Sequence, residues 1–421
     1  MTNLENKMIE TRRMFHTMAE PAWLEFNTTI RIIEYMKELG YDIEYGKKIH
    51  SSRMGLPTKE QLENHAKTVQ KEDFDITEIL EGYTGLVATL DTGKEGPTIG
   101  MRFDIDANDV AESKDEDHRP FREGFISKNP VAMHACGHDG HITIGLFVAS
   151  WIAENKDNLK GKFKIFFQPA EEGVRGAKSM VEAGVLEGVD FFMGGHIGLG
   201  VPSGVIGLGT TAFLATTKLD VTFKGKSAHA GAKPEEGKNA LLGAATCALN
   251  LHTLPQISGG MSRLNVGRLE AGSGRNVVPS DAKLQIETRG ETTEIINLLN
   301  VRAKEVIKGA ASMYDLEYHI EEVGGAPAYN NVDEELVNNF KNVIESKDKD
   351  YKIELNPILG ASEDVAYMMN FVEENGGKAI HMIYGSDLSA GHHNDRFDFD
   401  EKVLIRAYDI IVELIKYFEE L

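Results

Sequence analysis

Apolar positions follow two different rhythms along this chain. Over residues 8–39 they recur every three to four residues, with Trp23, Phe26, Ile30 and Ile33 in the second half. That spacing predicts two amphipathic helices, the second ended by Gly40. Residues 44–80 are polar and poorly periodic, so they read as a long excursion with at most a short helix. From Gly85 the apolar residues gather into short runs bounded by Gly, Pro and Asp. GLVATLD, PTIGMRFDID, FKIFFQPA and VDFFMGGHIG suit buried strands, with helices over 140–154 and 176–187 between them. Alternating strands and helices predict an α/β layer with a mostly parallel sheet. Ligands of such sheets sit beyond the carboxyl ends of the strands.

The rhythm changes again between about 213 and 325. KLDVTFKG alternates, a helix covers 238–252, SRLNVGRLE and DAKLQIETRG alternate, a second helix covers 293–313, and DLEYHIEEV follows. Strand–helix–strand–strand–helix–strand is the split βαβ pattern of a small ferredoxin-like unit. Helices at 333–345 and over SEDVAYMM, the strand KAIHMIYG, and a last helix with Leu404, Ala407, Ile411, Leu414 and Phe418 on one face restore the α/β texture. The expected organisation is an α/β domain made of 1–212 and 326–421, interrupted by an α+β domain at 213–325.

Composition narrows the class. The 421 residues exceed what one core usually covers, and 41% apolar with 26% charged residues suits a soluble globular chain. Lys+Arg 45 against Asp+Glu 66 gives a net charge of −21, without any basic run, which disfavours nucleic acid and anionic membrane as partners. The opening MTNLENKMIE lacks the apolar stretch of a signal peptide, and no run approaches a membrane span. Cys136 and Cys247 are too few for a disulfide framework. A cytoplasmic location is expected.

The densest chemistry lies in MHACGHDGH, where His134, Cys136, His138, Asp139 and His141 fall within nine residues. Thiolate, imidazole and carboxylate are the ligands of borderline-soft divalent ions. A lone His-x-x-x-His is more often a helix start with Asp139 near its N-terminus and the histidines turned to solvent. Three His and a Cys around two Gly, just past two strands, favour metal. Glu171 and Glu172 follow the strand FKIFFQPA, where adjacent side chains diverge and two carboxylates can take different tasks. A pair of neighbouring acids is otherwise usually a solvated pair. His196 in MGGHIG, and His392 and His393 in AGHHND, sit near other strand ends. Alone, each is an ordinary loop histidine. Asp104 and Asp106 in MRFDID are costly on a buried strand unless at least one orients a ligand.

These residues sit in longer words. MHACGHDGH, FQPAEEG, GGHIG, KGKSAHAGAKPEEGKNAL, GSGRNVVPSDA and AGHHNDRFDFDE resemble, in order, the dinuclear metallo-amidohydrolases related to aminoacylases and carboxypeptidase G. The branch is that of hippurate hydrolase and indole-acetyl-amino-acid hydrolase. SSRMGLP, DHRPFREGF and ATTKLD are similar to its p-aminobenzoyl-glutamate hydrolase A-subunit members. The resemblance implies a metallopeptidase-type catalytic domain interrupted by a lid and dimerisation domain. It implies two divalent ions per chain, zinc or manganese, held by Cys136, His138, Glu172, His196 and His393. Glu171 would be the general base, Asp106 an orienting acid, and His229 an oxyanion donor supplied by a neighbouring protomer. Asn276 and Arg289 would grip the substrate's carbonyl and carboxylate. DANDV at 106–110 departs from the Asp-Ala-Leu-Pro of most relatives, so this wall of the pocket is expected to differ.

The expected reaction is hydrolysis of the amide of an N-acyl amino acid, foremost p-aminobenzoyl-glutamate to p-aminobenzoate and glutamate. The alternative is a general deacylase of the hippurate or indole-acetyl type. A third reading, an inactive metal-binding partner subunit, gives no reason for an acid beside Glu172. The implied assembly is a homodimer through the lid domain, with or without a homologous B subunit.

Overall fold

A computed structural model of the chain describes residues 2–69, 73–254, 257–347 and 351–420. Strands β1 (Asp42–Tyr45), β2 (Leu86–Asp91), β3 (Thr98–Asp104), β4 (Lys162–Gln168), β5 (Phe191–Ile197) and β6 (Val205–Leu208) come first. They are followed by β7 (Ala215–Lys224), β8 (Ser262–Ala271), β9 (Asp281–Gly290) and β10 (Glu317–Ala326), then β11 (Lys352–Leu355) and β12 (Lys378–Tyr384). The chain divides into a unit of Met1–Thr211, Asn330–Leu359 and Tyr367–Leu421, and a unit of Ala212–Tyr329 with Gly360–Ala366.

The larger unit is built on one sheet in the order β1-β2-β4-β3-β5-β12-β6-β11. Its middle strands β4, β3, β5 and β12 run parallel. β1 and β2 join antiparallel on one side, as does β6 on the other. The parallel strands are apolar nearly throughout and almost wholly buried, because helices cover both faces of such a sheet. Register brings their carboxyl ends level: Asp104 pairs with Gln168, and His196 with Ile383. The helix His138–Asn155 is buried almost all round. The helix Lys402–Glu420 buries Leu404, Ala407, Ile411, Leu414 and Phe418, its expected apolar face.

Two expectations need correcting. The excursion at 44–80 begins inside the edge strand β1, taking in its last two residues, and carries several short helical turns besides the helix Lys59–His65. Strands β6 and β11 had no counterpart among the expected elements. Each of these strands is four residues long, too short for a period to register. The histidines of MHACGHDGH, which the sequence pattern favours as a metal site over a solvated helix start, are buried at His134, His138 and His141, and so is Asp139.

Asp139 is instead the centre of a buried ionic cluster. Arg12, fully buried in the helix Asn3–Thr17, meets Asp139 at 2.7 Å, Asp398 at 3.0 Å and Glu401 at 3.4 Å. His16, one turn on, bridges Asp139 at 2.8 Å and Glu112 at 3.0 Å. Against the cost of burial, Arg12 and His16 hold the Asp139 carboxyl well below the usual carboxylate range. The cluster ties the first helix, and the segment that leads into the last one, to the residue that follows His138.

The smaller unit has the order β10-β7-β9-β8, antiparallel throughout. The helices Ala240–Leu251 and Thr293–Met313 pack on it through Ala244, Cys247, Ala303 and Ile307 against Leu219, Val221, Leu284 and Ile286. β8 is an edge strand of ten residues whose side chains are largely exposed. Among the described residues, no helix is long and apolar enough to cross a membrane.

Candidate metal centre

The segment after β3 turns at the end of the sheet and leads, through Met133–Cys136, into the helix His138–Asn155. Gly137 stands at φ +95° before the first helical residue, a conformation that L side chains rarely adopt. This places Cys136 and His138 on either side of the bend, both buried. His196 arrives at the end of β5, and Glu171 and Glu172 on the turn after β4. His393, at φ +64°, donates its backbone N–H to the Ala135 carbonyl at 2.8 Å. Candidate ligand atoms of Cys136, His138 and His196 lie within 4.8 Å of one another; so do those of Cys136, Glu172 and His393, and of His138, Glu171 and Glu172. Three overlapping triads sharing Cys136, His138 and Glu172 form one elongated site.

The imidazoles are set for a cation. His138 Nδ1 donates to the Asp106 carbonyl at 2.9 Å, and His196 Nδ1 donates to the Ile197 carbonyl at 2.8 Å. Each Nε2 is thereby left as the free face, the arrangement that fixes metal-binding histidines. His196 Nε2 stands 3.5 Å from Cys136 Sγ, and His138 Nε2, with no hydrogen-bond partner, lies 4.0 Å from Glu171 Oε2. His393 Nε2 is 3.4 Å from Glu172 Oε1 and more than half exposed, so the site opens on this side.

Charge gives the same reading. Burial disfavours the His138 imidazolium, yet Asp104, Asp106 and Glu172 outweigh it and push this group up to about 10. Burial and the Glu172 and Glu171 carboxylates push the Cys136 thiol well above its usual range. Burial keeps His196 neutral, with its pKa well below the usual value. A buried thiol and an orphaned imidazole nitrogen crowded by carboxylates make a donor set with surplus negative charge, and divalent cations fit it.

The supporting residues are equally defined. Asp106, fully buried, accepts from the backbone N–H of Glu171 at 3.1 Å and of Glu172 at 2.8 Å, so its carboxylate holds the turn carrying both acids. Asp104 accepts from His141 Nδ1 at 2.5 Å and pairs with buried Arg102 at 2.7 Å, while His141 Nε2 accepts from Ile197 N–H. Of the two histidines in AGHHND, His392 accepts the Leu199 N–H on Nε2 at 3.2 Å, so its Nδ1–H faces Cys136 Sγ at 3.5 Å. It is placed to donate to sulfur. Asn108, the departure noted in DANDV, accepts the Ala135 N–H on Oδ1 at 3.0 Å and braces the segment before Cys136.

His229, Asn276 and Arg289 belong to the smaller unit. The first two are neighbours: the Ala230 N–H donates to the Asn276 carbonyl at 3.0 Å, and both side chains are exposed. Gly231 N–H and Ala232 N–H both donate to His229 Nδ1, at 3.2 and 3.1 Å. The proton of the neutral ring is therefore on Nε2, which points away as a donor. Arg289 lies on β9 and pairs with Glu287 at 3.1 Å.

Comparison with known proteins follows the same lines. Residues 100–417 match the profile of peptidase family M20/M25/M40. The chain is 45% identical over 416 residues to the indole-3-acetyl-aspartic acid hydrolase of Enterobacter agglomerans, covering 96% of this chain and 94% of that protein. It is 43% identical over 416 residues to the A-subunit of p-aminobenzoyl-glutamate hydrolase from Escherichia coli strain K12, covering 98% and 95%. The crystal structure of an aminobenzoyl-glutamate utilization protein from Klebsiella pneumoniae superimposes with a TM-score of 0.81 at 38% identity, covering 97% of this chain and 94% of that one.

Proposed function

Because this chain belongs to peptidase family M20/M25/M40 and is a metal-dependent amidohydrolase, we propose that it cleaves the amide of N-acyl acidic amino acids, foremost p-aminobenzoyl-glutamate. The observation that carries the chemistry is the pair of buried imidazoles with Nδ1 spent on backbone carbonyls and Nε2 facing Cys136 and the two glutamates. The substrate class rests on relatives whose names specify aspartate and glutamate conjugates.

In this reading Cys136, His138, Glu172, His196 and His393 hold two divalent ions, with the thiolate favouring zinc and the carboxylates compatible with manganese. When bound, such a pair polarises the amide carbonyl and acidifies a water. Glu171 takes the proton of the attacking water and delivers it to the leaving amine nitrogen. Asp106 keeps the Glu171–Glu172 turn rigid through two amides. His229 offers Nε2–H to the developing oxyanion, and its tautomer is preset by the Gly231 and Ala232 amides. Arg289 supplies the fork that a substrate carboxylate accepts, and Asn276 the amide for its carbonyl.

The reading treats 213–325 as a lid and dimerisation domain, so that His229 serves the partner chain's site. Support comes from the unpaired edge of β8 and from Leu241, Leu242 and Leu249, exposed on the helix Ala240–Leu251. A companion B subunit is in keeping with the Escherichia coli relative, which is named as an A-subunit.

Purified metal-loaded protein should hydrolyse p-aminobenzoyl-glutamate with kcat/KM at least about tenfold above hippurate. A preference for hippurate would transfer the assignment to the general deacylases. Sedimentation of the same preparation should show a dimer, and a fully active monomer would remove the lid-domain dimer.

A further inference from the structure

Glu25 stands at the N-cap of the helix Phe26–Glu38, where an acidic side chain ordinarily accepts the helix's first amides. It makes no such bond. Glu20 takes them instead: Oε1 accepts from Asn27 N–H at 3.1 Å and Oε2 from Thr28 N–H at 2.8 Å. Glu25, fully buried, is released to face the catalytic turn. Its Oε1 accepts the Ala170 N–H at 2.8 Å, and its Oε2 accepts the Thr84 hydroxyl at 2.6 Å.

Ala170 precedes Glu171 and sits at φ +53°, a strained conformation for a residue with a side chain. Several contacts secure it. The Ala170 methyl belongs to a small apolar cluster with Ala22 and Trp23, from the same segment as Glu25. Its carbonyl accepts from Arg175 N–H at 3.1 Å and Gly176 N–H at 2.9 Å. A Cβ on Gly176 would lie 1.8 Å from the Pro169 oxygen, so backbone approaches backbone directly there. Asp106 takes the next two amides, of Glu171 and Glu172. Three successive amides are thus held by two buried carboxyl groups, one of them from the N-terminal segment.

We propose that Glu25 is a positioning residue for hydrolysis, fixing the Ala170 amide so that the strained turn presents Glu171 toward the reacting water while Glu172 faces the cation site. This rests on the assignment of Glu171 as the base. What matters is an acceptor at the reach of a glutamyl side chain, not its charge.

Glu25→Gln keeps reach and acceptor, whereas Glu25→Asp keeps the carboxyl group and falls one methylene short. Misplacement by about 1 Å is enough to cost about 100-fold in turnover. Glu25→Gln should therefore keep kcat within about threefold of wild type, and Glu25→Asp should lower it by about 10- to 100-fold, with KM and the midpoints of the pH profile unchanged. In a Glu171→Gln background held at saturating metal, Glu25→Asp should cost nothing further, because the base it aims is gone. Thr84→Val, which removes the other anchor of Glu25, should lower kcat in the same way by a smaller factor, and serves if Glu25→Asp does not fold. The proposal is overturned if Glu25→Asp (or, where that chain does not fold, Thr84→Val) keeps wild-type kcat, if Glu25→Gln is as slow as Glu25→Asp, or if the two losses multiply. Failure of the base assignment looks different: Glu171→Gln alone would then turn over at the wild-type rate or lose metal in parallel with activity.

Discussion

Glu171→Gln is expected to lower kcat on p-aminobenzoyl-glutamate by about 10²–10⁴-fold, the usual cost of losing a positioned general base. Metal content should stay at the wild-type level, because Glu172, on the same turn, is the acid within reach of Cys136 and His393. KM should change little, since the amide keeps the side chain's volume and its backbone N–H still donates to Asp106. Steady-state kinetics with metal analysis on one preparation checks all three. Loss of metal in parallel with activity would make Glu171 a ligand and not the base.

The second large effect belongs to Cys136→Ser. Cys136 is common to two of the three ligand triads and is the sole sulfur donor in them. A hydroxyl is a poor ligand for a borderline-soft ion. Loss of an outer-shell partner already costs about 10–100-fold in metal affinity, and loss of the ligand itself should exceed that. The variant should come off purification with less metal and need far higher free metal for turnover. His392 would then donate to an oxygen in place of sulfur, which does not replace the thiolate. Wild-type metal content in Cys136→Ser would reduce Cys136 to a small buried residue.

Much of this was legible in the residues, and the exceptions have physical causes. The parallel strands are long apolar runs ended by Gly, Pro or Asp, so β3, β4, β5 and β12 and their common carboxyl edge could be read directly. The four-residue strands β1, β6 and β11 complete no recognisable period, and tertiary pairing alone defines them. Cys136 and His138 announced themselves through local density. His392 and His393 could not be told apart until backbone partners did so, Leu199 for one and Ala135 for the other. The Arg12–Asp139–Glu401 cluster and the Glu25–Ala170 bond join residues more than a hundred positions apart, and each member alone looks like a surface charge. Glu25 was hidden further by its place at a helix start, where an acid has an ordinary explanation.

The central claim is that amide hydrolysis here needs divalent ions in the Cys136–His138–Glu172–His196–His393 site. The direct measurement strips wild-type protein with a chelator and titrates zinc or manganese back while following p-aminobenzoyl-glutamate hydrolysis. The account predicts negligible turnover in the stripped protein, recovery as metal is added, and a plateau at two ions per chain. Full turnover by protein shown to be metal-free would contradict it.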